Sequence, residues 1–118
     1  MTTPIHNCLI NKKTSTTPVW FMRQAGRYLP EFKKIRKNNL NFIKLCLNYK
    51  LSHEITLQPL KRFNLSAAII FSDILMTPHG LGQKVVFKKN FGPKLKPLNL
   101  YNISNNNVDE FSKKLDPI

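Results

Sequence analysis

The chain has 118 residues, enough for one small domain with a modest core. Against 6 acidic residues stand 19 basic ones, a net charge of +13, but the lysines are scattered through an Asn- and Ile-rich chain and no block of like charges marks a nucleic-acid arm. No apolar run approaches the ~20 residues of a membrane span, and the Met-Thr-Thr-Pro-Ile-His-Asn start lacks the regions of a secretory signal, so nucleic-acid partners, membrane partners and export are not expected and the location expected is cytoplasmic. Cys8 and Cys46 have neither CxxC spacing nor a His/Cys cluster beside them. They read as free thiols of a reducing compartment, with no metal site.

In chain order, residues 1–17 form a polar arm in which Cys8, Leu9 and Ile10 are expected to make one short helical turn. Val19, Trp20, Phe21 and Met22 favour a short strand or extended piece, with Trp20 as a packing residue. A loop from Arg23 to Leu29 leads to Pro30 and Glu31, which suit a helix start. Phe32 and Ile35 face inward on that helix, Lys33, Lys34 and Arg36 face elsewhere, and Lys37-Asn38-Asn39 ends it. Phe42, Leu45, Cys46 and Tyr49 repeat at i, i+3, i+4 and i+7, which predicts one amphipathic helix with Asn41 as N-cap. Ser52 is the expected cap of a further helix, buried through Ile55, Leu57, Leu60 and Phe63 and kinked or restarted at Pro59. Ala67-Ala68-Ile69-Ile70-Phe71 suits a strand buried on both faces, as in a parallel sheet, and stops at Ser72-Asp73. Residues 74–82 read as a loop or short helical turn, Val85-Val86-Phe87 as a strand, Phe91-Gly92-Pro93 as a turn and residues 94–107 as a loop. Val108, Phe111 and Leu115 mark one face of a short helix.

Two places carry chemistry. Arg23 and Arg27 stand four apart at the end of an apolar run, with Gly26 between them. Guanidinium forks match carboxylates and phosphates, so the pair fits an anion clamp, and equally a loop with two solvated arginines. Asp73 closes a buried strand, where barrel enzymes keep their chemistry, and equally caps the helix that follows. His53-Glu54 lacks the second histidine of a zinc motif, and Gly80-Leu81-Gly82 is too weak a signal for nucleotide binding.

The segment V-W-F-M-R-Q-A-G-R-Y-L-P-E-F, followed by F-I-K-L-C, H-E-I-T-L-Q-P-L-K-R-F and A-A-I-I-F-S-D-I-L, closely resembles the N-terminal part of uroporphyrinogen decarboxylase over residues 18–93. The resemblance implies an α/β fold, the N-terminal portion of a (β/α)8 TIM barrel. A whole barrel needs roughly 250 residues, so the expectation is an incomplete one, its first one to three units only. The expected division is an arm at 1–17 and a partial barrel domain at 18–118, and truncation or fragmentation is the favoured explanation of the length.

The resemblance also implies the reaction: a carboxy-lyase that removes carbon dioxide from the four acetate side chains of uroporphyrinogen III to give coproporphyrinogen III, in porphyrin and haem biosynthesis, without cofactor. On this basis Asp73 is the catalytic carboxylate at the pyrrole N–H groups. Arg23, Arg27 and Arg36 hold substrate carboxylates, and the backbone at Ala25 lies against the ring. A tyrosine, a serine and a histidine of the family's cleft come from later units and have no counterpart here, so the chain alone is expected to be inactive. Full-length members are homodimers. An arginine as proton donor is discounted because guanidinium holds its proton too tightly. The double arginine argues against a corrinoid methyltransferase relative. The alternative from another class is a non-catalytic basic module that binds tetrapyrroles or other polyanions.

Overall fold

Thr3 Oγ1 accepts from the His6 amide at 3.3 Å and Pro4 occupies the first turn, where a missing N–H costs nothing. These start helix α1, Pro4–Leu9, in a computed structural model that describes residues 3–22, 26–88, 91–97 and 108–116. Helix α2, Pro30–Asn38, begins at the expected proline, carries Glu31 in its first turn and Arg36 and Lys37 in its last, and buries Phe32 and Ile35 as expected. That charge order complements the helix dipole.

The expected helix through Tyr49 is two helices. Helix α3, Phe42–Cys46, is capped by Asn41, whose side chain accepts from the Lys44 amide at 3.0 Å. Helix α4, Tyr49–Arg62, is capped by Asn48, whose side chain accepts from the Leu51 amide at 3.1 Å. The apolar period runs across this break, but Tyr49 starts the new helix and is 65% exposed. Ser52 is therefore interior to α4 and not its cap. Pro59 also lies inside α4, which runs on to Arg62, and tertiary packing of its buried face, with Ile55 at its centre, opposes the proline's cost. Phe63, beyond the helix end, is 45% exposed and does not extend the buried side.

Helix α5, Met76–Gly80, realises the short helical turn. Strand β1, Val85–Lys88, pairs antiparallel with β2, Gly92–Leu95, in the register Val85 with Leu95 and Lys88 with Gly92. Gly92 and Pro93 thus belong to a strand and not to the turn expected there, and Lys94 and Leu95 are not loop. Helix α6, Val108–Leu115, lays Phe111 and Leu115 on α5; a Cβ on Gly80 would sit 2.7 Å from the Phe111 ring. Most of the expected 94–107 loop lies outside the described residues.

Two expected strands form no ladder. Residues 19–22 and 67–71 carry no strand pairing, and the only sheet among the described residues is the β1–β2 hairpin. Trp20 is 44% exposed and Ile70 66% exposed, so neither is the core residue expected of it. Alternate burial on both faces needs flanking strands, and the described residues supply none. The core instead joins α2, α3 and α4 to Phe71 and Met76, with Leu45, Cys46 and Ile55 fully buried. Burying each such aliphatic side chain stabilises the fold by roughly 1.5–3 kcal/mol.

Candidate functional site

Phe71 is the anchor of the site. Its ring meets Phe32 edge-on at 5.9 Å and Phe42 at 6.2 Å between centroids. Its backbone is held by two hydroxyls one helical turn apart on α4. Ser52 Oγ donates to the Phe71 carbonyl at 2.6 Å, and the Phe71 amide donates to Thr56 Oγ1 at 2.8 Å. Thr56 Oγ1 in turn donates to the Ser52 carbonyl at 2.7 Å. The triangle satisfies every polar group it buries and sets where the chain leaves Phe71.

What leaves is Ser72-Asp73. Asp73 Oδ1 accepts from the Leu75 amide at 2.9 Å, and its carbonyl accepts from the Met76 amide at 3.0 Å. The bond to Leu75 makes a turn ahead of α5 and not the expected helix cap, since the N-cap of α5 is Leu75 and carries no side-chain cap hydrogen bond, and Asp73 also lines a cavity of about 600 Å³. Arg27, Tyr28, Thr56 and Pro59 line the same cavity. A cation and a carboxylate from segments 46 positions apart thus share one opening.

The Arg27 loop is fixed by packing. Gly26 is buried, its carbonyl accepts from the Leu29 amide at 2.8 Å, and a Cβ there would lie 2.5 Å from Leu29 Cγ and Cδ1. Gly26 is needed for this close approach. The other end of the arginine segment is tied down at Val19, whose amide donates to Ser66 Oγ at 3.0 Å while the Ser66 amide donates back to the Val19 carbonyl at 2.8 Å. Arg23 and Ala25 lie outside the described residues.

Arg36 is half-buried at the end of α2. Its guanidinium donates to the Asn39 carbonyl and stands 5.4 Å from the centroid of the Phe42 ring. It lines a second cavity of about 390 Å³, together with Arg27, Phe32, Lys33, Lys37 and Leu40. Arg27 is a wall of both cavities. At Cys46, burial first and then the Asp73 charge push the thiol up to about 11, and Arg36 pulls the other way. Asp73 and Arg36 are thereby within electrostatic reach of one buried sulfur.

The Ser52–Thr56 pair was not legible as part of the site. Its i, i+4 spacing is visible on α4, but nothing local names Phe71 as the partner. Tyr28 is a second lining residue that only the fold reveals. Among the described residues no group of three or more His, Cys, Asp or Glu is placed to hold a metal ion, and no helix is long and apolar enough to cross a membrane.

Comparison with known proteins agrees with the motifs. The family model described as uroporphyrinogen decarboxylase (URO-D) matches residues 2–117. A Rickettsia felis protein named uroporphyrinogen decarboxylase is 54% identical over 87 residues, 74% of this chain and 25% of the relative. A Rickettsia rickettsii (strain Sheila Smith) protein of the same name is 60% identical over 79 residues, 67% of this chain and 23% of the relative. One from Agrobacterium fabrum, also so named, is 44% identical over 111 residues, 93% of this chain and 32% of the relative. The chain thus spans between 23% and 32% of the length of these relatives. With the arginine segment, the Ser72-Asp73 turn and this match across nearly its whole length, the chain belongs to the uroporphyrinogen decarboxylase family.

Proposed function

We propose that the Arg27–Asp73 cavity is the tetrapyrrole-facing part of a uroporphyrinogen decarboxylase site, in the opening units of an incomplete (β/α)8 barrel. The substrate is uroporphyrinogen III, and the reaction turns its four acetate side chains into methyl groups to give coproporphyrinogen III. The observation that carries this reading is the shared cavity, with a guanidinium for a carboxylate arm and a carboxylate for pyrrole N–H groups on one opening.

The chemistry asks for that pairing. Protonation of a pyrrole carbon beside the acetate-bearing position makes the ring cationic. The C–C bond to the carboxylate then breaks, its electron pair enters the ring, and carbon dioxide leaves. Protonation of the resulting exocyclic methylene gives the methyl group, and loss of the first-added proton restores the pyrrole. Asp73 stabilises the cation through the N–H groups, a preorganised charge worth most where water is excluded. Arg27, with Arg23 and Arg36, holds carboxylates of the substrate so that the ring cannot turn away. The hydroxyl triangle of Ser52 and Thr56 keeps Asp73 aimed.

This chain, which spans 23% to 32% of the length of the relatives, supplies one part of the binding surface, and further barrel units supply the rest. Anaerobic titration with uroporphyrinogen tests the assignment. Arg27→Gln and Asp73→Asn should each weaken binding by roughly tenfold, a charge-assisted hydrogen bond's worth. Unchanged affinity in both variants would remove the assignment. A polyanion-binding module without catalysis is the second reading, favoured by the all-cationic charged lining of the second cavity. It predicts that only Arg27→Gln matters and that Asp73→Asn does not.

A further inference from the structure

The cavity beyond Arg27 has charged walls of one sign. Arg27, Lys33, Arg36 and Lys37 supply four cations, Phe32 and Leu40 supply apolar surface, and among the described residues no carboxylate lines it. Lys33, Arg36 and Lys37 stand at i, i+3 and i+4, where like charges on a helix repel. Glu31, the only acid of α2, pairs through Oε1 with Arg62 of α4 at 2.8 Å and is not among the residues lining this cavity. Arg36 already spends a donor on the Asn39 carbonyl and lies against Phe42. Like Arg27, Lys33 and Lys37 are exposed, and among the described residues their ammonium groups have no hydrogen-bond or ion-pair partner. A cationic wall with no internal counter-charge is relieved by an anionic ligand.

We infer that Lys33 and Lys37 hold outer carboxylates of a ring seated between Arg27 and Asp73, so that affinity rises with the number of carboxylates the ring carries. The inference rests on the tetrapyrrole reading above and extends it to two residues that the family motif does not include. Arg27 is the shared wall, so a ring whose N–H groups face Asp73 presents its rim past Arg27 toward α2. Ammonium groups on flexible stems suit this rim position. They attract a carboxylate without the fixed fork geometry of a guanidinium, so they tolerate the ring turning to present successive arms.

The test uses two air-stable oxidised rings as probes, uroporphyrin and coproporphyrin, which differ in the acetate carboxyls. Fluorescence titrations are run on the 118-residue chain and on K33Q/K37Q, K33R/K37R and R27Q, with circular dichroism to check that each is folded. The expected result is that K33Q/K37Q weakens uroporphyrin binding by roughly fivefold or more, weakens coproporphyrin binding much less, and lowers the salt dependence for uroporphyrin. K33R/K37R, which keeps the charge, should bind as the unaltered chain does. Uroporphyrin bound equally well by K33Q/K37Q while R27Q loses it would overturn the role of the lysines and leave the Arg27 assignment standing. Equal weakening of both rings by K33Q/K37Q would overturn the dependence on carboxylate number. Failure of the unaltered chain to bind either ring would overturn both the inference and the reading beneath it.

Discussion

At Gly26 one hydrogen atom decides where a functional side chain sits. Leu29 is a core residue, and its side chain fills the space that any Cβ at position 26 would take. Gly26→Ala should cost about 1–3 kcal/mol by overpacking and should shift Arg27, so urea unfolding and porphyrin affinity are both expected to fall. Stability within a few tenths of the unaltered chain would mean that Leu29 moves aside freely. Cys46 gives a pH prediction. Burial and the Asp73 charge raise its thiol from 9.0 to about 11. The folded state therefore prefers the protonated thiol. Its contribution is complete below pH 9 and is lost as pH rises toward 11, a loss of at most ~3 kcal/mol. Replacing Cys46 by Ala should flatten the decline in urea midpoint over that range, and an identical decline would show that other groups cause it.

Between elements, two contacts position the site. The first is the hydroxyl triangle from α4 to Phe71. Ser52→Ala strands a buried carbonyl and should cost about 1–3 kcal/mol, and it should weaken porphyrinogen binding through misplacement of Asp73. Loss of stability with unchanged binding would limit Ser52 to a structural role. The second is Arg62–Glu31, between α4 and α2. The hydrogen bond from Arg62 holds Glu31 below the usual carboxylate range, so its contribution is present at neutral pH and lost in acid, and Glu31→Gln should remove that acid dependence.

How much of this was legible follows the range of each interaction. Caps and dipole charges are local, and Pro30, Asn41 and the 108–115 helix were legible in the sequence, although Val108, expected on the apolar face with Phe111 and Leu115, is 75% exposed. Apolar spacing alone ran on through the α3–α4 break, because Asn48 ends one period and begins another without disturbing it. The 67–71 segment was read with neighbours on both sides, which are not among the described residues. Of the site, Arg27, Arg36 and Asp73 came from the motif. Tyr28 and the Ser52–Thr56 pair required the fold, since their partners are distant in sequence.

Across the whole molecule, the chain is extended for its length. Its radius of gyration is 17.7 Å, against roughly 13–14 Å for a compact chain of this size. Met22, Ile69, Ile70 and Ile74, all exposed, surround the Asp73 cavity. Uncovered apolar surface favours association, and a charge of +13 opposes it. Screening should release the first from the second, so sedimentation should reveal larger species as salt is raised. A monomer at every salt concentration would contradict this. The shared cavity is tested most directly by amide NMR of the isotopically labelled chain during titration with uroporphyrin. Ring-current shifts should concentrate at Arg27, Tyr28, Ser72, Asp73 and Ile74 and leave α1 untouched; shifts confined to α5, α6 or the β-hairpin would contradict the account.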